Sequence, residues 1–211
     1  MAFRMVSKLA KSNQSRSDSL TLTALNKRLQ QVLAIHGGTH QAQRELLCTR
    51  LDDLQLCRAR LGPSPGAGNG VFATRGICEG ELVTCFPGDW TISASGKHVD
   101  VKFGPHVPDD QRDLVHATSV EAKEYAFTHD SEGDTSLTLV GSPSLTSDPA
   151  YLGHLLNDCG VLTNVDGICE YALAAATRMN AAHVSLGECH VVTVATKAIS
   201  AGDEVLVTCE E

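Results

Sequence analysis

Residues 66–88 read GAGNGVFATRGICEGELVTCFPG, and the reading of this stretch decides the fold. Gly68-Asn69-Gly70 leaves backbone almost bare of Cβ atoms, so its N–H and C=O groups can lie against a ligand. Val71, Phe72 and Ala73 then enter a core as an alternating strand, and residues 81–86 form a second short apolar run. Alone, a Gly-x-Gly turn carries almost no information. Two downstream blocks give it weight: YLGHLLND at 151–158 and VVTVATKAISAGDEVLVTC at 191–209.

Working outward, the chain beyond residue 66 alternates short apolar runs with Gly, Pro, Asp and Ser. Strands are expected at 70–74, 81–86, 121–127, 136–140, 182–186, 190–196 and 204–209. Residues 97–119 are polar and irregular, with helical character at 108–116, and the Ala-rich run 171–179 reads as a helix. Many short strands with little helix predict a compact, β-rich α+β architecture. Upstream, Leu22, Leu25, Leu29, Val32 and Leu33 recur at helical spacing until Gly37-Gly38. A second leucine-rich stretch, about 39–60, continues the pattern, so 20–61 is expected to be a helical hairpin extension. The Gly-Pro-Ser-Pro-Gly run at 62–66 places the domain boundary there, with the main domain over 62–211.

Taken together, the three blocks resemble the SET domain, the fold of protein-lysine methyltransferases. They match that family's opening segment, its Asn-His-Ser segment and its closing Gly-Glu-Glu-Leu-Thr turn, in the family's order. The resemblance implies several small sheets and a pseudoknot-like C-terminal crossing. It also implies S-adenosyl-L-methionine as cofactor and lysine of a basic protein, such as a histone, as methyl acceptor. Gly68, Asn69 and Gly70 would cradle the cofactor, and Asn157 matches the Asn whose amide binds its methionine moiety. Asp158 stands where the family has His, in a role carried largely by backbone, and His154 where many members carry a basic residue. An insertion over 159–179 separates these from Asn180, the delayed partner of the family's last Asn. Residues 97–119 occupy the place of the family's variable insert.

The likeness fails at the expected catalytic phenols. The Tyr near the end of the closing strand is Cys209 here, and a second channel position, often Tyr, is Phe86. A thiol is a weak donor and shorter than a phenol by most of a ring. Tyr125, Tyr151 and Tyr171 are the only tyrosines, so Tyr125 joins Cys209 and Phe86 as a candidate for the channel. Three readings stay open: a phenol supplied from elsewhere, a slow enzyme, or a degenerate, non-catalytic module that binds cofactor or peptide. The chain also stops at Glu211, directly after the third block, where family members continue into a lid over the cofactor.

Charge bears on the partner. Residues 1–61 hold ten Lys/Arg against four Asp/Glu, a net +6, and residues 62–211 hold seven against twenty-one, a net −14. An acidic body repels phosphate backbones and attracts cationic substrates, so a basic peptide is expected and direct nucleic-acid binding is not. Asp100, Asp109, Asp110 and Asp113 lie in the variable insert and could face such a peptide or form an ordinary solvated surface. Nine aromatics are too few for a base-stacking platform. The eight cysteines show no paired zinc spacing, so no metal site is expected. No apolar window is long enough to span a membrane. Scattered thiols without a secretory signal read as an intracellular protein, cytoplasmic or nuclear. Residues 1–19, with four basic residues, five serines and one acid, read as a disordered basic tail or an organelle-targeting segment.

Overall fold

The computed structural model describes residues 20–51, 54, 56–65, 68–95, 98–115, 126–129, 136–160, 168–187 and 189–208. Helix α1 (Leu22–Ile35) begins where Thr21 Oγ1 accepts from Ala24 N–H, and the positive φ of Gly37 and Gly38 ends the run. Leu25, Leu29 and Leu33 line its buried face. Helix α2 (His40–Leu47), capped by Thr39, is far shorter than the expected second arm. Leu51, Leu54 and Leu56 are all buried without forming helix. Tertiary contacts take over there: the Tyr151 hydroxyl accepts from Leu51 N–H at 2.7 Å, and Arg50 reaches Asp89. The leucine spacing reported burial, and burial alone does not dictate helix.

Gly62, Pro63 and Ser64, at the expected boundary, lie within a strand. Strand β1 (Ala59–Ser64) runs through that boundary and pairs antiparallel with β2 (Gly68–Ala73), from Ala59 opposite Ala73 to Ser64 opposite Gly68. Gly62 and Pro63 do not interrupt it, because a two-stranded sheet offers edge positions where Pro needs no N–H partner. Residues 62–66 also carry the letters Gly-x-Ser-x-Gly of a hydrolase nucleophile turn. That turn joins a strand to a helix, whereas here β1 leads to β2.

The body is α+β and strand-rich, built from several small sheets. Strands β3 (Leu82–Phe86), β9 (Ala181–Leu186) and β10 (His190–Ala195) form an antiparallel sheet in the order β3-β10-β9. A second, four-stranded sheet has the order β5-β4-β7-β6, from β4 (Trp90–Ser95), β5 (His98–Phe103), β6 (Ala126–His129) and β7 (Ser136–Val140). Strands β4 and β5 fall where no strand was expected, although His98-Val99-Asp100-Val101-Lys102-Phe103 does alternate; its charged residues disguised an edge strand. Helices α3 (Asp109–Val115) and α4 (Ile168–Arg178) lie close to the two expected helical stretches. Strand β8 (Asn157–Asp158) pairs parallel with β11 (Leu206–Val207), joining the second and third sequence blocks.

One apolar cluster unites α1 and α2 with the body: Leu25, Leu29 and Leu46 pack with Leu82, Cys85, Tyr151 and Val192. A second cluster, with Val71, Val83, Leu152, Ala181 and Val205, backs the β2, β8 and β11 region. That layer holds the candidate site in place.

Candidate active site

The closing segment is held from three directions. Val205 N–H donates to Val71 O, and Ala73 N–H donates to Asp203 O, tying it to β2. Cys159 N–H donates to Val207 O beside β8. Asn180 supplies the third side: its Nδ2 donates to Glu204 O at 2.8 Å and its Oδ1 accepts from Leu206 N–H at 2.8 Å. Both ends of the Asn180 amide are therefore spent on backbone, and its side chain braces the closing strand from within the core.

Gly68, Asn69, Gly70 and Asn157 come together beside this segment. Gly68 has φ +72°, a conformation that L side chains rarely adopt. A Cβ at Gly70 would collide with Glu204 Oε1 and come within 2.7 Å of Asn157 Nδ2. Asn157 Nδ2 donates to Asn69 O at 3.1 Å and to Glu204 Oε1 at 2.7 Å, while Ser64 Oγ donates to Glu204 Oε2 at 3.0 Å. Asp158 sits in register with Val207, and its Oδ1 accepts from Gly160 N–H at 2.9 Å, a local turn. The bare hairpin, and an amide whose oxygen accepts from nothing among the described residues, fit the polar, amine-bearing cofactor that the resemblance implies.

His154 and Phe86 belong to a different layer. His154 is buried, its Nε2–H donates to Ser142 O at 2.9 Å, and its ring lies where a Cβ on Gly141 would have to go. Burial pulls its pKa down to about 4, so the imidazole is neutral near pH 7. Phe86 is buried too, with ring centroids 6.3 Å from His154, 5.5 Å from His183 and 5.7 Å from Phe127. Phe127 and His183 are themselves 5.7 Å apart and edge-to-face. His183 Nδ1 lies 3.2 Å from Thr193 Oγ1, and burial lowers its pKa to about 4. The predicted channel residue thus sits in an aromatic cluster that joins β3, β6 and β9. Cys209 and Tyr125 lie outside the described residues.

Sequence reasoning missed Glu204, His183, Phe127 and Asp89. Glu204 was available as the second acid of the closing turn, but nothing in one dimension aims it at Gly70. Asp89 is fully buried and accepts from Arg50 Nη2 at 2.8 Å and Ser142 N–H at 2.6 Å, with His106 Nε2 2.6 Å away. Burial pushes its carboxyl up, but His106, the Arg50 guanidinium and Ser142 N–H outweigh that and hold it below the usual range. Of the acidic residues expected to meet a substrate, Asp109 and Asp110 open helix α3, and Asp109 pairs with Arg112 at 3.2 Å. No group of three or more His, Cys, Asp or Glu among the described residues could hold a metal ion.

No protein-family model and no curated protein sequence matches the chain. Among solved structures it is similar to a Plasmodium falciparum protein described as a candidate histone methyltransferase, with 18% identity and a TM-score of 0.37, covering 73% of this chain and 94% of that one. It is also similar to the methyltransferase domain of human PR domain-containing protein 2, with 15% identity, a TM-score of 0.40 and coverage of 74% and 79%. A third is ATXR5 in complex with a mono-methylated histone H3.1, at 14% identity and a TM-score of 0.42. There the match covers 72% of this chain and 56% of that one.

Proposed function

We propose that the chain is an S-adenosylmethionine-dependent methyltransferase of the SET class that acts on lysine of a basic protein, within the cell. The observation that carries this reading is the convergence of three separated sequence blocks on one small cluster. Gly70 of the first, Asn157 of the second and Glu204 of the third are in mutual contact distance. Chains built on unrelated folds have no reason to bring those blocks together in that order. Gly68, Asn69, Gly70, Asn157 and Asp158 would hold the cofactor, which when bound supplies an electrophilic methyl group. His154 and Asn180 would act from behind, as neutral packing and as a backbone brace. Phe86 with its neighbours Phe127 and His183 would form one wall beside the acceptor amine. A free lysine has a pKa near ~10.4, so the wall's task is to desolvate the amine and align it with the methyl group.

The test has two arms. Calorimetry with S-adenosylmethionine should show saturable binding, and radiolabelled methyl should pass to histones or to a lysate protein. Absence of binding at millimolar cofactor would sink the enzyme reading. A second reading, a non-catalytic module, is favoured by the buried, phenol-free Phe86 position. Cys209→Tyr separates the two: a gain in methyl transfer identifies the missing phenol as the lesion in an otherwise competent site. Exchanging Asp109, Asp110 and Asp113 for Asn should weaken binding of a Lys/Arg-rich peptide and flatten its salt dependence. Unchanged affinity at low salt would rule out that surface.

A further inference from the structure

Asn157 Nδ2 faces two groups that can only accept hydrogen bonds, the Asn69 carbonyl at 3.1 Å and Glu204 Oε1 at 2.7 Å. Neither partner has a proton to give, so the amide cannot be turned round without losing both bonds. Its nitrogen must face inward and its oxygen outward. Among the described residues nothing donates to Asn157 Oδ1. Glu204 is in turn fixed by Ser64 Oγ at 3.0 Å and by Asn180 Nδ2 on its backbone carbonyl at 2.8 Å. Its carboxylate lies over Gly70, where any larger residue would push it away.

We propose that Glu204 is the positioning residue of the ligand site. It holds Asn157 so that the amide presents only its oxygen, which selects a ligand carrying a primary ammonium group at that point. An unconstrained Asn could meet either end of an amino-acid zwitterion; this one has spent both donors before the ligand arrives. The Glu204 carboxylate and the Asn69 carbonyl add negative potential beside the same oxygen and reinforce the preference. The proposal rests on the cofactor reading above.

The experiment compares two ligands on the full chain by calorimetry. S-adenosylhomocysteine carries the ammonium group, and 5′-methylthioadenosine keeps the nucleoside and thioether but lacks the amino-acid portion. Glu204→Gln introduces an amide that can donate to Asn157 Oδ1 in a flipped orientation, leaving the Asn69 carbonyl as the one acceptor that opposes the flip. The expected result is about a tenfold loss for S-adenosylhomocysteine, the scale of one charge-assisted hydrogen bond, with 5′-methylthioadenosine within about twofold of wild type. Equal losses for both ligands, or no loss for the first, would overturn the role of Glu204 while leaving the cofactor reading intact. Wild-type protein that binds neither ligand overturns both. If thermal melting shows Glu204→Gln unfolded, Ser64→Ala replaces it, since it removes only the Oε2 contact. It should cost about threefold on S-adenosylhomocysteine and nothing on the other ligand, and it is judged by the same outcomes.

Discussion

At the scale of single residues, the site depends on places where one atom more would not fit. Gly70→Ala puts a methyl against the Glu204 carboxylate and should cost about 1–3 kcal/mol of stability, read as a lower urea midpoint. Adding Glu204→Ala to that variant should return much of the loss, because the obstructing carboxylate is then gone. Asp89 is a contrasting case, a carboxylate so fully surrounded that it organises the turn between β3 and β4. Asp89→Asn leaves the Arg50 charge facing a neutral amide in a poorly solvated place, at a cost of about 3–5 kcal/mol. A chemical denaturation curve measures this, and a change below about 1 kcal/mol would show that Arg50 finds water instead. Of these residues, Gly70 was singled out from the sequence because a bare backbone is a one-letter signal. Asp89 could not be, since its importance lies in Arg50, His106 and Ser142, which are 39, 17 and 53 residues away.

At the scale of elements, the N-terminal helices are part of the body's core. Leu29 has no exposed surface and packs in the same cluster as Leu82 and Tyr151. Leu29→Ala should therefore lower the unfolding free energy of the whole chain by about 2–5 kcal/mol in a single transition. A separate early transition, with the body unaffected, would mean that α1 is an independent appendage. Strand positions were readable where apolar residues ran together, as at β3, β7 and β10. They were hidden where hydrogen bonding alone defines the element. Strand β1 contains Gly62 and Pro63, and its identity comes from pairing with β2. The short α2 makes the same point from the other side, because the leucines after it are buried by Tyr151 and Arg50 contacts in extended chain.

At the scale of the molecule, buried neutral histidines link stability to pH. Burial lowers the pKa of His154, His183 and His190 each to about 4; His190 also contacts the Cys189 carbonyl through Nδ1 and Tyr151 through Nε2. In the unfolded chain a histidine titrates near ~6.5. Between pH 6.5 and about 4 the unfolded state takes up protons that the folded state refuses. Stability is therefore full above pH 6.5 and falls with acidification through that window, by up to about 1.4 kcal/mol per pH unit for each histidine. Denaturation midpoints at pH 7 and pH 5 measure the slope, and a folded His190→Gln variant should lower it by about a third, since His154 and His183 remain. A flat profile would show that these rings are protonated in the folded protein. The sequence by itself determined the β-rich α+β class, the three blocks and the amide and glycine types at the candidate site, because local spacing and residue chemistry suffice for those. Only the tertiary structure decided that Asn180 braces backbone, that Glu204 turns Asn157 outward and that His154 and Phe86 belong to the packed interior. Each of those depends on contacts between residues far apart in the chain, and such contacts leave no period or motif in the letters.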